Sequence, residues 1–202
     1  AGYGPFRRIS AAPGESIRRQ RDLGTRGSLL SLFDDSASLA DSMDWLQRIH
    51  TRHMEEDRQS ATVPEARPLL EDVVLPLLSD GLLPDGTTAS DVTSRGLMIR
   101  TSSGHELSLE EMSDGYRSVA ALVLDIVRQL HLAYGSIEME PGTSIVRNEG
   151  VVLIDEVDAH LHVSWQQKIG FWLKRHFPNI QFIVTTHSPF ICQAADEGGL
   201  VR

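Results

Sequence analysis

Two lysines, one cysteine and no long apolar run are what this 202-residue sequence has least of. The lysines, Lys168 and Lys174, lie close together, and no glycine in the chain is followed by lysine. That excludes a G-x-x-x-x-G-K-[ST] loop, whose backbone N–H groups and lysine cradle phosphates. The single cysteine, Cys192, excludes an intramolecular disulfide framework and suits a reducing compartment; it is expected to be a small buried apolar residue. No stretch reaches the ~18 consecutive apolar residues of a membrane span. Ala1–Arg8 has no apolar leader core, so no secretory leader and a cytoplasmic location are expected. The lack of Met at position 1 leads to the expectation of a processed or shortened chain.

Cationic charge is also scarce. A net charge of −9 disfavours a broad nucleic-acid-binding face, which needs clustered Lys and Arg. The local exception is the first 30 residues, where Arg7, Arg8, Arg18, Arg19, Arg21 and Arg26 outweigh Glu15 and Asp22. Two readings stand there, a solvated basic arm or a contact with phosphate.

What is present divides into three regions: 1–28, a basic arm and remnant of a first lobe; 29–92, a helical lobe; and 93–202. In the second, Leu39, Met43, Leu46 and Ile49 recur at helical spacing behind Ser36 or Ser38 as N-cap candidates. An apolar helical stretch follows at Leu69–Leu83, interrupted by Pro76, and residues 84–95 read as a turn-rich linker. In the third, Gly96–Arg100 predicts a short strand. Val119, Leu122, Val123, Ile126, Val127 and Leu130 form one continuous helical stripe. Val151–Ile154 is an unbroken apolar run and Ile180–Val184 a second one, apolar but for Gln181; both are expected to be strands buried on both faces. A helix from about Ser164 to His176 separates them, so the unit predicts parallel strands. Trp165, Ile169 and Trp172 on that helix are expected to pack against the sheet.

In open parallel sheets, ligands gather at the carboxyl ends of the strands. The first run ends in Asp155-Glu156 and the second in Thr185-Thr186-His187. Two carboxylates behind four aliphatic residues are costly to desolvate without a cation or hydrogen-bond donors. Asp155 is therefore expected to hold Mg²⁺, directly or through water. Glu156 is expected to polarise an attacking water, and His187 to hydrogen-bond a γ-phosphate or that water. The plainer alternative is a buried ion pair or a helix N-cap. Met112-Ser113-Asp114-Gly115-Tyr116-Arg117 precedes the striped helix; Ser113 and Gly115 there suit an anion, or Ser113 or Asp114 simply caps the helix. His160 and His162, two apart without a third ligand, are a weak metal signal.

Together these segments resemble the heads of ABC-type ATPases, in the variant of SMC-like and OLD-type (overcoming lysogenization defect) proteins. Ser113-Asp114-Gly115-Tyr116-Arg117 is similar to the signature motif, and Val151–Glu156 to the Walker B strand with its catalytic Glu. Val157-Asp158-Ala159-His160-Leu161-His162 resembles the D-loop, and Thr185-Thr186-His187-Ser188-Pro189 the histidine switch. Tyr3–Arg8 is weakly similar to a first-lobe segment. Val163 stands where the family often has Pro.

The resemblance implies a partial P-loop NTPase fold, α/β, with a mainly parallel sheet flanked by helices and a small helical lobe. It implies ATP and Mg²⁺ as cofactors and two heads that sandwich ATP. Ser113 and Gly115 would then meet the nucleotide of the partner head, and Asp158 the dimer interface. DNA repair, or phage defence beside a nuclease or other effector, is the expected setting, with DNA reached only through the full-length protein. The phosphate loop is expected upstream of Ala1, leaving this chain alone weak or inactive. The competing reading is a non-catalytic docking module; a transporter head fits the motif wording less well.

Overall fold

The computed structural model describes residues 1–4, 40–59, 66–93, 95–159 and 161–201. The arginine-rich arm, the cap candidates Ser36 and Ser38, and His160 lie outside them. The chain begins in β1 (Gly2–Tyr3), then α1 (Ala40–Gln59). Next, α2 (Ala66–Pro68) runs through a π-helical stretch (Leu69–Val74) into α3 (Leu75–Ser79). Pro76, which has no N–H to donate, falls at the junction where the π-helical stretch passes into α3, and the rod continues through it.

β2 (Thr87–Thr93), β3 (Gly96–Thr101) and β4 (Glu106–Ser108) form an antiparallel meander. The linker expected over residues 84–95 is thus largely a strand. Its Thr-, Ser- and Asp-rich wording hides two buried positions, Ala89 and Val92, and a bulge between Ala89 and Asp91 interrupts the alternation that would have marked it. The β2–β3 hairpin also spans the 92/93 boundary drawn from sequence.

α4 (Asp114–Tyr134) buries all six residues of the predicted stripe and ends at Gly135, whose left-handed backbone (φ 77°) donates its N–H to the His131 carbonyl at 2.8 Å. After an irregular segment come β5 (Gly150–Ile154), α5 (Val163–Gln166), α6 (Ile169–His176), β6 (Ile180–Val184) and α7 (Pro189–Cys192). The single helix expected between the two strands is therefore two short ones. Trp165, Ile169 and Trp172 are buried, as expected of packing residues, whereas Cys192 is half-buried rather than buried.

The fold is α/β. The second sheet is parallel, in the order β1–β5–β6, with Gly150–Ile154 registered residue for residue on Ile180–Val184. One face of it joins the core: Val152 and Ile154 are buried, and Tyr3, on β1, donates its hydroxyl to Asp125 of α4 at 2.9 Å. Arg128 donates to the other Asp125 oxygen at 2.7 Å, so this buried carboxylate is paired on both sides. Burial and the Asp125 charge push the Tyr3 hydroxyl well above its ordinary 10.0. The opposite face corrects the expectation of two-sided burial: Val151 is 50% and Ile183 52% exposed. Helices of the described residues cover one side of these strands and leave the other to solvent.

Candidate functional site

Parallel pairing brings the ends of β5 and β6 to one rim, and hydrogen bonds continue past both strands. Thr185 N–H donates to the Ile154 carbonyl at 2.9 Å, and Val157 N–H donates to the Thr185 carbonyl at 3.0 Å. Asp155, at that rim, also donates its N–H to the Tyr3 carbonyl at 2.7 Å, so three strand ends meet there. Glu156 follows with φ 45°, the only left-handed residue other than glycine among the described residues. A left-handed backbone is costly for a side-chain-bearing residue, and it turns the chain sharply off the strand into the tight bend at Val157–Ala159. There Ala159 N–H donates to the Glu156 carbonyl at 2.8 Å.

Of the predicted site residues, Asp155, Glu156, Asp158 and His187 come together here. His187 Nε2 stands 4.0 Å from Glu156 Oε1, its side chain 88% exposed and that of Glu156 46%. The Thr185 hydroxyl donates to Asp155 Oδ1 and accepts the Glu156 N–H at 2.8 Å. Asp158 faces the switch segment: its Oδ1 accepts from the Thr186 hydroxyl and from the His187 N–H, the latter at 3.2 Å. Thr186 in turn accepts the Ser188 N–H at 2.9 Å. The two threonines stood in the switch motif, but sequence reading gave them no role. A hydroxyl at a strand end beside two carboxylates was the available signal.

Ser113 is the N-cap residue of α4, exposed, with extended backbone and no cap bond from its hydroxyl. Asp114 does not cap either; it pairs with Arg117. The approach is held by a capping box, in which Ser108 N–H donates to Glu111 Oε2 at 2.6 Å. Those bonds draw the exposed Glu111 carboxyl below its ordinary 4.5. One turn into α4, Tyr116 meets Trp165 of α5 edge-on at 5.8 Å, tying the serine–glycine turn to the strand–helix–strand unit.

The donor set at the rim, a carboxylate oxygen steadied by a hydroxyl, is hard oxygen, the chemistry Mg²⁺ requires. Among the described residues no three His, Cys, Asp or Glu form a metal cage for such an ion. Asp155 is the residue that would hold it. His162 serves the backbone instead, its Nδ1 accepting the Ser164 N–H at 3.3 Å and capping α5.

Residues 11–193 match the family model described as "AAA domain, putative AbiEii toxin, Type IV TA system". The chain is similar to "Retron Ec83 probable ATPase" of Escherichia coli, 48% identical over 91 residues, which is 45% of this chain and 16% of that protein. It is similar to "Septu protein PtuA" of Bacillus thuringiensis, 34% identical over 117 residues, 57% of this chain and 28% of that one. Similarity extends to "Structural maintenance of chromosomes protein 2-2" of Arabidopsis thaliana, 36% identical over 105 residues, 51% of this chain and 7% of the relative. Among solved structures, the "SMC head domain from Thermotoga maritima" has a TM-score of 0.44 and 22% identity, covering 71% of this chain and 45% of that chain. The chain thus spans between 7% and 28% of the length of these curated relatives.

Proposed function

The chain belongs to the AAA domain family whose model covers residues 11–193, and from that premise we propose that it is the hydrolytic half of an SMC- or OLD-like ATPase head. The observation that carries this reading is the meeting of Asp155, Glu156 and His187 at the joined ends of two parallel strands, with His187 Nε2 4.0 Å from Glu156 Oε1. An acid–base group and a hydrogen-bond donor side by side, next to a carboxylate suited to a cation, are the parts that phosphoryl transfer to water needs.

In this mechanism Glu156 accepts a hydrogen bond from the attacking water and orients it in line with the γ-phosphorus. His187 donates to the γ-phosphate or to that water and so stabilises charge that grows in the transition state. Asp155 would hold Mg²⁺, which would supply charge neutralisation on the phosphate oxygens. Ser113 and Gly115, at the exposed start of α4, serve a nucleotide held by a second copy of the head, through a hydroxyl, backbone N–H groups and the positive helix end. Asp158, bonded to the switch segment, relays the state of that site to the dimer interface.

A phosphate loop supplied from outside these 202 residues completes the site. The absence of any Gly-Lys pair supports this, as does the half-exposed apolar sheet face at Val151 and Ile183, which offers that lobe a place to pack. The retron and Septu relatives favour phage defence over DNA repair as the setting, with a nuclease or other effector as partner. A cytoplasmic site of action accords with a reaction that consumes ATP. Among the described residues no helix is long and apolar enough to cross a membrane.

The test compares ATP turnover by the 202-residue chain with turnover by a version extended through a phosphate-binding loop. Turnover confined to the extended protein supports the proposal. Equal inactivity of both points instead to a docking module that carries the wording of a site without its chemistry.

A further inference from the structure

Four hydrogen bonds join one residue, Thr185, to four consecutive residues of the opposing turn. Two are made by its main chain, to the Ile154 carbonyl and from the Val157 N–H. They complete the ladder between β5 and β6 and would survive any side chain. The other two belong to the hydroxyl alone: its hydrogen goes to Asp155 Oδ1 and its lone pair takes the Glu156 N–H at 2.8 Å. We infer that Thr185 is a positioning residue of the hydrolytic site, its hydroxyl locking the left-handed backbone of Glu156 and aiming the Asp155 carboxylate.

Three observations carry this. The Glu156 backbone sits at φ 45°, a conformation that persists only where its surroundings hold it, and the Thr185 hydroxyl accepts the N–H of that residue. The same hydroxyl engages one Asp155 oxygen, so the Asp155 carboxylate and the Glu156 main chain are held by one group. Thr185 is itself exposed, so its hydroxyl could bond water at no cost; it is turned inward instead. For the same reason, replacing it with the isosteric valine leaves no buried cavity and keeps both main-chain bonds.

This inference rests on the reading of Glu156 and Asp155 as the water-orienting and cation-holding groups, and the test is chosen to separate the two. In the full-length protein, T185V and T185S are compared with wild type by amide hydrogen exchange over residues 155–159 and by steady-state ATP turnover. Loss of one hydrogen bond to a strained amide predicts that T185V speeds exchange at Glu156 by about tenfold, while the α4 core from Val119 to Leu130 exchanges as in wild type. The kcat of T185V falls by about tenfold or more, because the aim of the Asp155 carboxylate and the Glu156 main chain is lost. T185S, which keeps the hydroxyl, restores both exchange and kcat.

Wild-type exchange and kcat in T185V, in a protein that E156Q inactivates, would overturn the role of Thr185 and leave the ATPase reading standing. Loss in T185V that T185S fails to rescue would also overturn it, since the hydroxyl would not be the cause. If wild type hydrolyses no ATP, the ATPase reading falls, and slower or unchanged Glu156 exchange in T185V would by itself overturn the lock.

Discussion

Asp80 closes α3 and reaches across the molecule with both its main chain and its side chain. Its carbonyl accepts the Trp172 indole N–H at 2.6 Å; its Oδ2 accepts from the Ser144 hydroxyl and lies 3.0 Å from His176 Nε2. His176 is buried, stacks on Trp172 at 4.1 Å between ring centres, and sets its Nδ1 2.9 Å from the Trp172 carbonyl. Hydrogen bonds from Ser144 first, then from His176, hold the Asp80 carboxyl below its ordinary 3.8. The sign follows directly: a lowered carboxyl adds stability above the unfolded value, and that stability is lost as pH falls through the folded value. Wild type should therefore lose urea resistance as pH drops below about 4, and D80N should lose less over that interval. Parallel curves for the two proteins below that pH would contradict the linkage. None of this was legible in sequence, because residues 80, 144 and 176 meet only through tertiary packing, whereas the Asp155-Glu156 and His187 positions could be read from the apolar runs that precede them.

At the scale of elements, legibility followed regularity. The α4 stripe and the two parallel strands were readable because six apolar residues at helical spacing and two short, mainly apolar runs have few alternative structures. β2 was not, since its polar wording and bulge carry neither period, and its pairing with the apolar β3 overrides weak local preference. The division of the helix between β5 and β6 was equally hidden. Its second half is pressed close: a Cβ added at Gly170 would lie 2.6 Å from the Ala194 Cβ, below van der Waals contact. G170A should thus cost about 1–3 kcal/mol through overpacking, read as a lower urea midpoint with unchanged slope, and A194G in the same chain should recover most of it. A G170A protein as stable as wild type would show that the segment after α7 is free to move away.

Among the described residues, one core cluster runs from Trp45 and Leu46 of α1 through α4 to Val152, Ile154 and Ile191, so the helical elements and the parallel sheet bury apolar surface in common. The site sits at the edge of that core, and its proposed dimeric use has a quantitative consequence. If each nucleotide is served by Glu156 of one head and Ser113 of its partner, S113R and E156Q are each inactive as homodimers. Their mixed dimer holds one doubly damaged and one intact site. Random mixing of equal amounts should then return about a quarter of wild-type turnover. No recovery in a mixture shown to exchange subunits would mean that Ser113 and Glu156 act within one chain.

The central claim, that the carboxylates at the end of β5 drive ATP hydrolysis, is tested most directly by phosphate release from the full-length protein and its E156Q variant, with ATP binding measured in parallel. Removing a positioned acid–base group predicts a fall in kcat of about 10²–10⁴-fold with nucleotide affinity retained. An E156Q protein that hydrolyses ATP at the wild-type rate would contradict it.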